Sequence, residues 1–172
     1  MVCSQRSHIH AAPREKHMCR ISLESAIAIS EHSKRTWWRR ISSGTVARAG
    51  LDSRGRATVA IEDVLKYVTV PLSPEEVELL IRADGGDAAS QNDAAQLFDE
   101  TGLTDAALYW WRAAAEQGHP DAMQNLGFCY AAGKGVPKDN NLSVMWIAKS
   151  AAFGHPIAAE QMARLSPYIS PP

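Results

Sequence analysis

Apolar residues in the second half of the chain recur at helical spacing, in segments punctuated by glycine and proline. Over Thr104–Gln117, Ala107, Trp110, Trp111 and Ala114 stand three or four apart, which places them on one face of a helix. Asp105 offers an N-cap near its start and Gly118 a stop at its end. The next helix is expected over about Pro120–Ala131, with proline in its first turn and Gly133 beyond its end. Ala122, Leu126, Cys129 and Tyr130 form its buried stripe, and Gly127 permits close approach of a neighbour. The loop Gly133-Lys134-Gly135-Val136-Pro137 calls for glycine torsions and ends in a helix-blocking proline. Asp139 or Asn141 can cap a third helix carrying Val144, Trp146, Ile147 and Ala151, and a last helix covers Pro156–Leu165.

These segments repeat. Gly118-His119-Pro120 returns as Gly154-His155-Pro156, and Trp110, Ala114-Ala115 and Ala122 return as Trp146, Ser150-Ala151 and Ala158. A worn upstream copy sets Gly85, Ala89, Leu97 and Gly102 against Gly118, Ala122, Tyr130 and Gly135. Stacked units of this size bury a continuous core between neighbours. The string Trp110, Ala114-Ala115, Gly118, Ala122, Leu126-Gly127, Tyr130, Gly133-Lys134-Gly135-Val136 and Asp139 closely resembles the Sel1-like repeat, a relative of the tetratricopeptide repeat. The resemblance covers about residues 85–165 and implies an α-α superhelix of two to three helical hairpins that binds a protein partner on its concave face. Trp110, Trp146 and Tyr130 read as packing between helices. Trp111, Met123, Gln124, Phe128 and Met145 fall at less regular positions and are the candidate protein contacts.

The first half is patterned differently. Ser22 can cap a helix over Leu23–Ser30, and Ser33 a second over Lys34–Ser43 that Gly44 stops. Two short helices joined by a tight turn match the helix-turn-helix spacing. On the second helix Trp37 and Ile41 share the core side, while Arg35 and Arg39 line another face beside Thr36 and Arg40. A turn at Ser53-Arg54-Gly55-Arg56 and a strand over Ala57–Ile61 then suggest a hairpin tipped with arginines, followed by a helix from Asp63 to Val68. This order is similar to the small winged helix-turn-helix domains of excisionase and MerR-like proteins. The similarity implies binding to double-stranded DNA, with Lys34, Arg35, Thr36, Arg39 and Arg40 on the recognition helix and Arg54 and Arg56 on the wing. The sequence departs from that pattern in placing Arg40 where an aromatic core residue often stands, with Trp37 and Trp38 expected to compensate. A palindromic site would call for a homodimer.

Charge sharpens the division. Residues 1–70 hold 12 Lys+Arg against 6 Asp+Glu, and residues 71–172 hold 6 against 13, so balances of +6 and -7 hide behind a net charge of -1. Basic surface attracts phosphate and acidic surface repels it. The expected organisation is a disordered leader over 1–20, a winged domain over 21–70, and a linker with the start of a connecting helix over 71–84. Repeats over 85–166 and a disordered tail over 167–172 complete it. In the connecting segment, Val77, Leu80 and Ile81 face inward on an acidic helix over Pro74–Ile81.

No apolar run is long enough to span a membrane, and His, Arg and Lys interrupt the first twenty residues where a secretory signal would need an apolar core, so a cytoplasmic location is expected. Met18 is an alternative start. Cys3, His8, His10, His17 and Cys19 match no tight metal-ligand pair, so no metal or other cofactor is expected. No nucleophile-base arrangement stands out, Gly133-Lys134-Gly135 is too short for a phosphate loop, and His119 and His155 recur at equivalent repeat positions. An enzyme is therefore not expected. Two functions remain: a DNA-binding adaptor or transcriptional regulator whose repeats hold a protein, or a scaffold that binds proteins alone.

Overall fold

A computed structural model of the protein describes residues 19–169. The expected leader up to residue 18, with Cys3, His8, His10, His17 and Met18, lies outside the described residues. The described residues open with strand β1 (Arg20–Ser22), which the sequence pattern did not announce, and run directly into helix α1 (Leu23–Ser30). Helix α2 (Lys34–Ser42), strands β2 (Arg48–Leu51) and β3 (Ala57–Ala60) and helix α3 (Ile61–Leu65) follow. Ser22 and Ser33 cap α1 and α2, accepting hydrogen bonds from the Ser25 and Thr36 amides. Glu31 ends α1 in the left-handed region at φ 54° and turns the chain toward α2.

The three strands form one antiparallel sheet in the order β1-β3-β2, with Ile21 opposite Val59 and a bulge between Arg48 and Gly50. The expected hairpin is therefore present, but β1 covers the other edge of β3. Helix α3 begins at Ile61 rather than Asp63, because Ile61 and Val64 are drawn into the core and Asp63 is left in the first turn, paired with Lys66 at 2.7 Å.

The remaining elements are helices α4 (Pro74–Asp84), α5 (Ala88–Glu100), α6 (Thr104–Glu116), α7 (Pro120–Ala132), α8 (Asn140–Ala152) and α9 (Pro156–Ile169). Each packs on its predecessor, most closely within the hairpins α5/α6 and α7/α8, and α9 stacks on α8. A capping box between Ser73 and Glu76 starts α4, and Asp139 caps α8 through the Asn141 and Leu142 amides. His119 and His155 cap α7 and α9 by accepting the Ala122 and Ala158 amides on Nδ1, the structural role their repetition suggested. Asp105 does not cap α6. The helix starts at Thr104, and Asp105 sits in its first turn. Helix α9 continues past the expected boundary at 166 to Ile169, with Pro167 inside its last turn.

Gly127 and Gly135 show why the repeat needs glycine. A Cβ on Gly127 would stand 2.7 Å from Ile147 of α8, and Gly135, at φ 67°, lies where a Cβ would meet Thr104 at 2.5 Å and Leu108 at 2.6 Å.

The connecting segment 71–84 carries α4. One apolar cluster runs from Ile21, Trp37 and Val59 through Leu80 and Ala83 of α4 to Phe98, Trp110 and Leu126. The N-terminal unit and the repeats share a core.

Candidate functional site

Three surfaces bear on function: the joint between the units, the exposed side of α2, and the face made by α5, α7 and α9.

At the joint, Asp84 closes α4 with its carboxylate buried. Its Oδ2 accepts the Ser22 amide at 2.9 Å. Its Oδ1 accepts the hydroxyls of Ser22 at 2.6 Å and Ser25 at 2.7 Å, and the Arg56 Nη1 at 3.1 Å. Arg56 also donates to the Asp84 carbonyl at 2.9 Å and to Asp52 at 2.7 Å. Although partial burial works against it, the nearby carboxylates of Asp84 and Asp52 hold the guanidinium above its ordinary pKa. Arg54 donates to the Gly85 carbonyl at 2.7 Å. Tyr109 of α6 meets Ser25 at 3.1 Å, and its burial pushes the phenol pKa up.

This geometry corrects the reading of the wing. Arg56 is taken up by the Asp84 and Asp52 carboxylates, because the buried Asp84 needs a cationic partner, while Arg54 reaches the Gly85 carbonyl at the α4–α5 corner and stays exposed. The sequence shows two arginines at a turn but not that an acidic helix end would close over them.

Arg40 is corrected too. Its guanidinium lies 3.6 Å from the centre of the Tyr67 ring and 5.4 Å from that of Trp37, half-buried in a cation-π stack. It thus replaces the missing core aromatic itself. Trp37 is fully buried and donates to Ser30 Oγ at 3.0 Å, whereas Trp38 points outward, 39 % exposed, and does not fill the core. The residues that α2 does present are Lys34, Arg35 and Arg39, with Thr36 half-buried against Ser33. Arg35, Thr36, Trp38, Arg39 and Ser42 line a shallow depression.

On the repeats, Gln96 of α5, Asp121, Gln124, Asn125 and Phe128 of α7, and His155 and Ile157 at the start of α9 line one groove of about 280 Å³. One helix of each hairpin contributes to it. Phe128 is 48 % and Ile157 57 % exposed, both large apolar side chains left facing solvent. Of the candidate protein contacts, Phe128 is therefore where a partner could meet it. Trp111 and Met123 are corrected: each is 4 % exposed and packs between helices, since its position, irregular in the repeat comparison, still faces the core. Gln124 is likewise buried at 3 %, on the groove floor, with its amide donating to Gln161 at 2.9 Å. Met145 is exposed but belongs to α8, the hairpin's other helix, and is not among the groove-lining residues. Gln96, Asp121, Asn125 and Ile157 were missed. Their signal is a row at helical spacing, Asp121, Asn125 and Phe128 four and three apart on the side of α7 opposite its apolar stripe.

Among the described residues no helix is long and apolar enough to cross a membrane, and no three His, Cys, Asp or Glu residues cluster as metal ligands. Comparison with known proteins gives a family. Residues 104–119 and 120–155 match the Sel1 repeat. A solved Sel1 repeat protein from Oxalobacter formigenes is 37 % identical over 54 % of this chain and 73 % of its own, with a TM-score of 0.49. No curated protein sequence matches the chain.

Proposed function

Residues 104–155 carry Sel1 repeats, and on that premise we propose that the chain is an interaction scaffold whose α5/α7/α9 groove docks another protein. Sel1 repeats imply protein–protein interaction, and stacked hairpins offer an extended face with no preformed chemistry. The observation that carries the choice of face is the exposure of Phe128 beside Ile157 in a polar-rimmed groove. Apolar anchors ringed by polar groups are the usual hot-spot arrangement of a protein interface. Affinity purification of the full chain, quantified against the Phe128→Ala/Ile157→Ala variant, tests it. A specific partner should be lost with the variant while its unfolding temperature stays near the parent's. Partners recovered equally from both would sink the assignment of the groove.

A second reading, binding of double-stranded DNA by α2, is favoured by one observation: Lys34, Arg35 and Arg39 are exposed around an exposed Trp38. It now rests on these residues and Thr36, without the wing. Arg35→Glu/Arg39→Glu should abolish any mobility shift of duplex DNA without loss of stability, because both side chains are solvated. A parent protein that shifts no DNA at low salt refutes this reading and leaves the scaffold alone.

A further inference from the structure

Building on the scaffold reading, we propose that the α5/α7/α9 groove takes a basic segment of a partner protein, lysine- and arginine-rich around one large apolar side chain. The first support is charge. Asp93 and Glu100 stand three residues before and four after the groove-lining Gln96, so α5 presents them on the same side, and both are exposed. Asp121 lines the groove itself. Against these, Arg164 is held by Glu160 at 2.6 Å. His155 spends Nδ1 as an acceptor of the Ala158 amide, which leaves Nε2 as its N–H toward Asp121 at 3.4 Å. The face is acidic and retains no free cation of its own among the described residues.

The second support is independent of charge. Gln124 is almost wholly buried on the groove floor, and its Oε1 has no hydrogen-bond partner among the described residues, although its Nε2 donates to Gln161. Buried acceptors are nearly always satisfied, so this one, closed to solvent in the unbound protein, would gain a partner where a bound segment draws the Gln124 side chain outward. A backbone N–H of a bound segment or a lysine ammonium supplies the donor, so the site fits a peptide and leaves the choice of a basic one to the charge. Phe128 and Ile157 provide the apolar contact for the anchor.

Fluorescence anisotropy on the full chain tests the proposal with three labelled probes: a short peptide of lysines and arginines around a central leucine, and its counterparts with glutamine or glutamate for the basic residues. The basic probe should bind tightest and lose affinity as salt rises. Phe128→Ala should weaken it at least about tenfold, as loss of an interface anchor does. Gln124→Met should weaken it about threefold or more while leaving the fold as stable as the parent or more so, because it removes an unsatisfied buried acceptor. Equal binding of the basic and acidic probes, or parental affinity in both variants, overturns the proposal. Should the neutral or acidic probe bind best and still depend on Phe128, the charge inference fails while the scaffold reading stands. No probe responding to Phe128→Ala removes the groove from both. If sedimentation instead shows self-association that Phe128→Ala abolishes, the occupant is a second copy and the basic-segment proposal is wrong.

Discussion

Replacing Asp84 by asparagine keeps the shape of the side chain and removes its charge, which makes it a sharp probe of the joint. The carboxylate accepts four hydrogen bonds, from the Ser22 amide, the Ser22 and Ser25 hydroxyls and the Arg56 guanidinium. An asparagine amide has one acceptor oxygen and one donor nitrogen. With nitrogen at the Oδ2 position it faces the Ser22 N–H, and at the Oδ1 position it faces the Arg56 N–H. Either orientation sets a donor against a donor. Hydrogen bonds to charged groups contribute roughly 1.5–3 kcal/mol each, and breaking a buried pair costs about 3–5 kcal/mol. The Asp84 side chain is 8 % exposed but that of Arg56 is 24 %, and Arg56 keeps Asp52, so the lower part of that range applies. We expect a loss of about 2–4 kcal/mol, which for a domain of this size lowers the unfolding midpoint by roughly 5–15 °C. Thermal and denaturant unfolding read the loss directly. Adding Arg56→Met should recover part of it, because the two residues are coupled. The same substitution should speed protease cleavage between α3 and α4, where the units would part. A variant within about 0.5 kcal/mol of the parent, the spread of an ordinary surface change, would refute the claim that this network joins the units.

Three further outcomes follow from the packing and titration. Gly127→Ala should cost about 1–3 kcal/mol by forcing α7 and α8 apart at Ile147, measured by urea unfolding. Burial, helped by Asp99, pushes the Cys129 thiol above its usual pKa, so alkylation at neutral pH should leave Cys129 unmodified while exposed Cys19 reacts, as peptide mass mapping would show. The Asp87 carboxyl is held below the usual range by hydrogen bonds from the Ser90 hydroxyl and the Ala89 and Ser90 amides. For Asp52 desolvation works upward, and hydrogen bonds from Arg56 and Arg54 with the Arg56 charge together outweigh it and hold the carboxyl down. A depressed folded-state pKa stabilises above the unfolded value and is lost as pH falls through the folded one. Both groups should therefore leave stability flat near neutrality and erode it only below about pH 4, where unfolded aspartate titrates.

The repeats were legible because helical periodicity, proline and glycine punctuation and duplication all point the same way. Trp110, Leu126 and Gly127 each occupy positions whose role is set by packing within two neighbouring helices. What the sequence hid depends on contacts between distant segments. Nothing local in Arg54 or Arg56 says that Asp84, 28 positions beyond Arg56, will claim it. Arg40 looks like a solvated arginine until Tyr67 is brought beneath it, and β1 exists only because β3 offers Arg20–Ser22 an edge. In the groove the misjudgement was of rotation. Met123 and Gln124 follow the buried Ala122 and face inward, while Phe128 shares the outer side of α7 with Asp121 and Asn125.

The central claim is that the protein meets its partner on the α5/α7/α9 face. Site-specific photo-crosslinking in cells tests it most directly, with the photoreactive residue placed at Phe128 or, as the comparison, at exposed Arg112 on α6. The account predicts a discrete crosslinked species from position 128 and none from 112. Crosslinks from both positions alike, or from 112 alone, would contradict it.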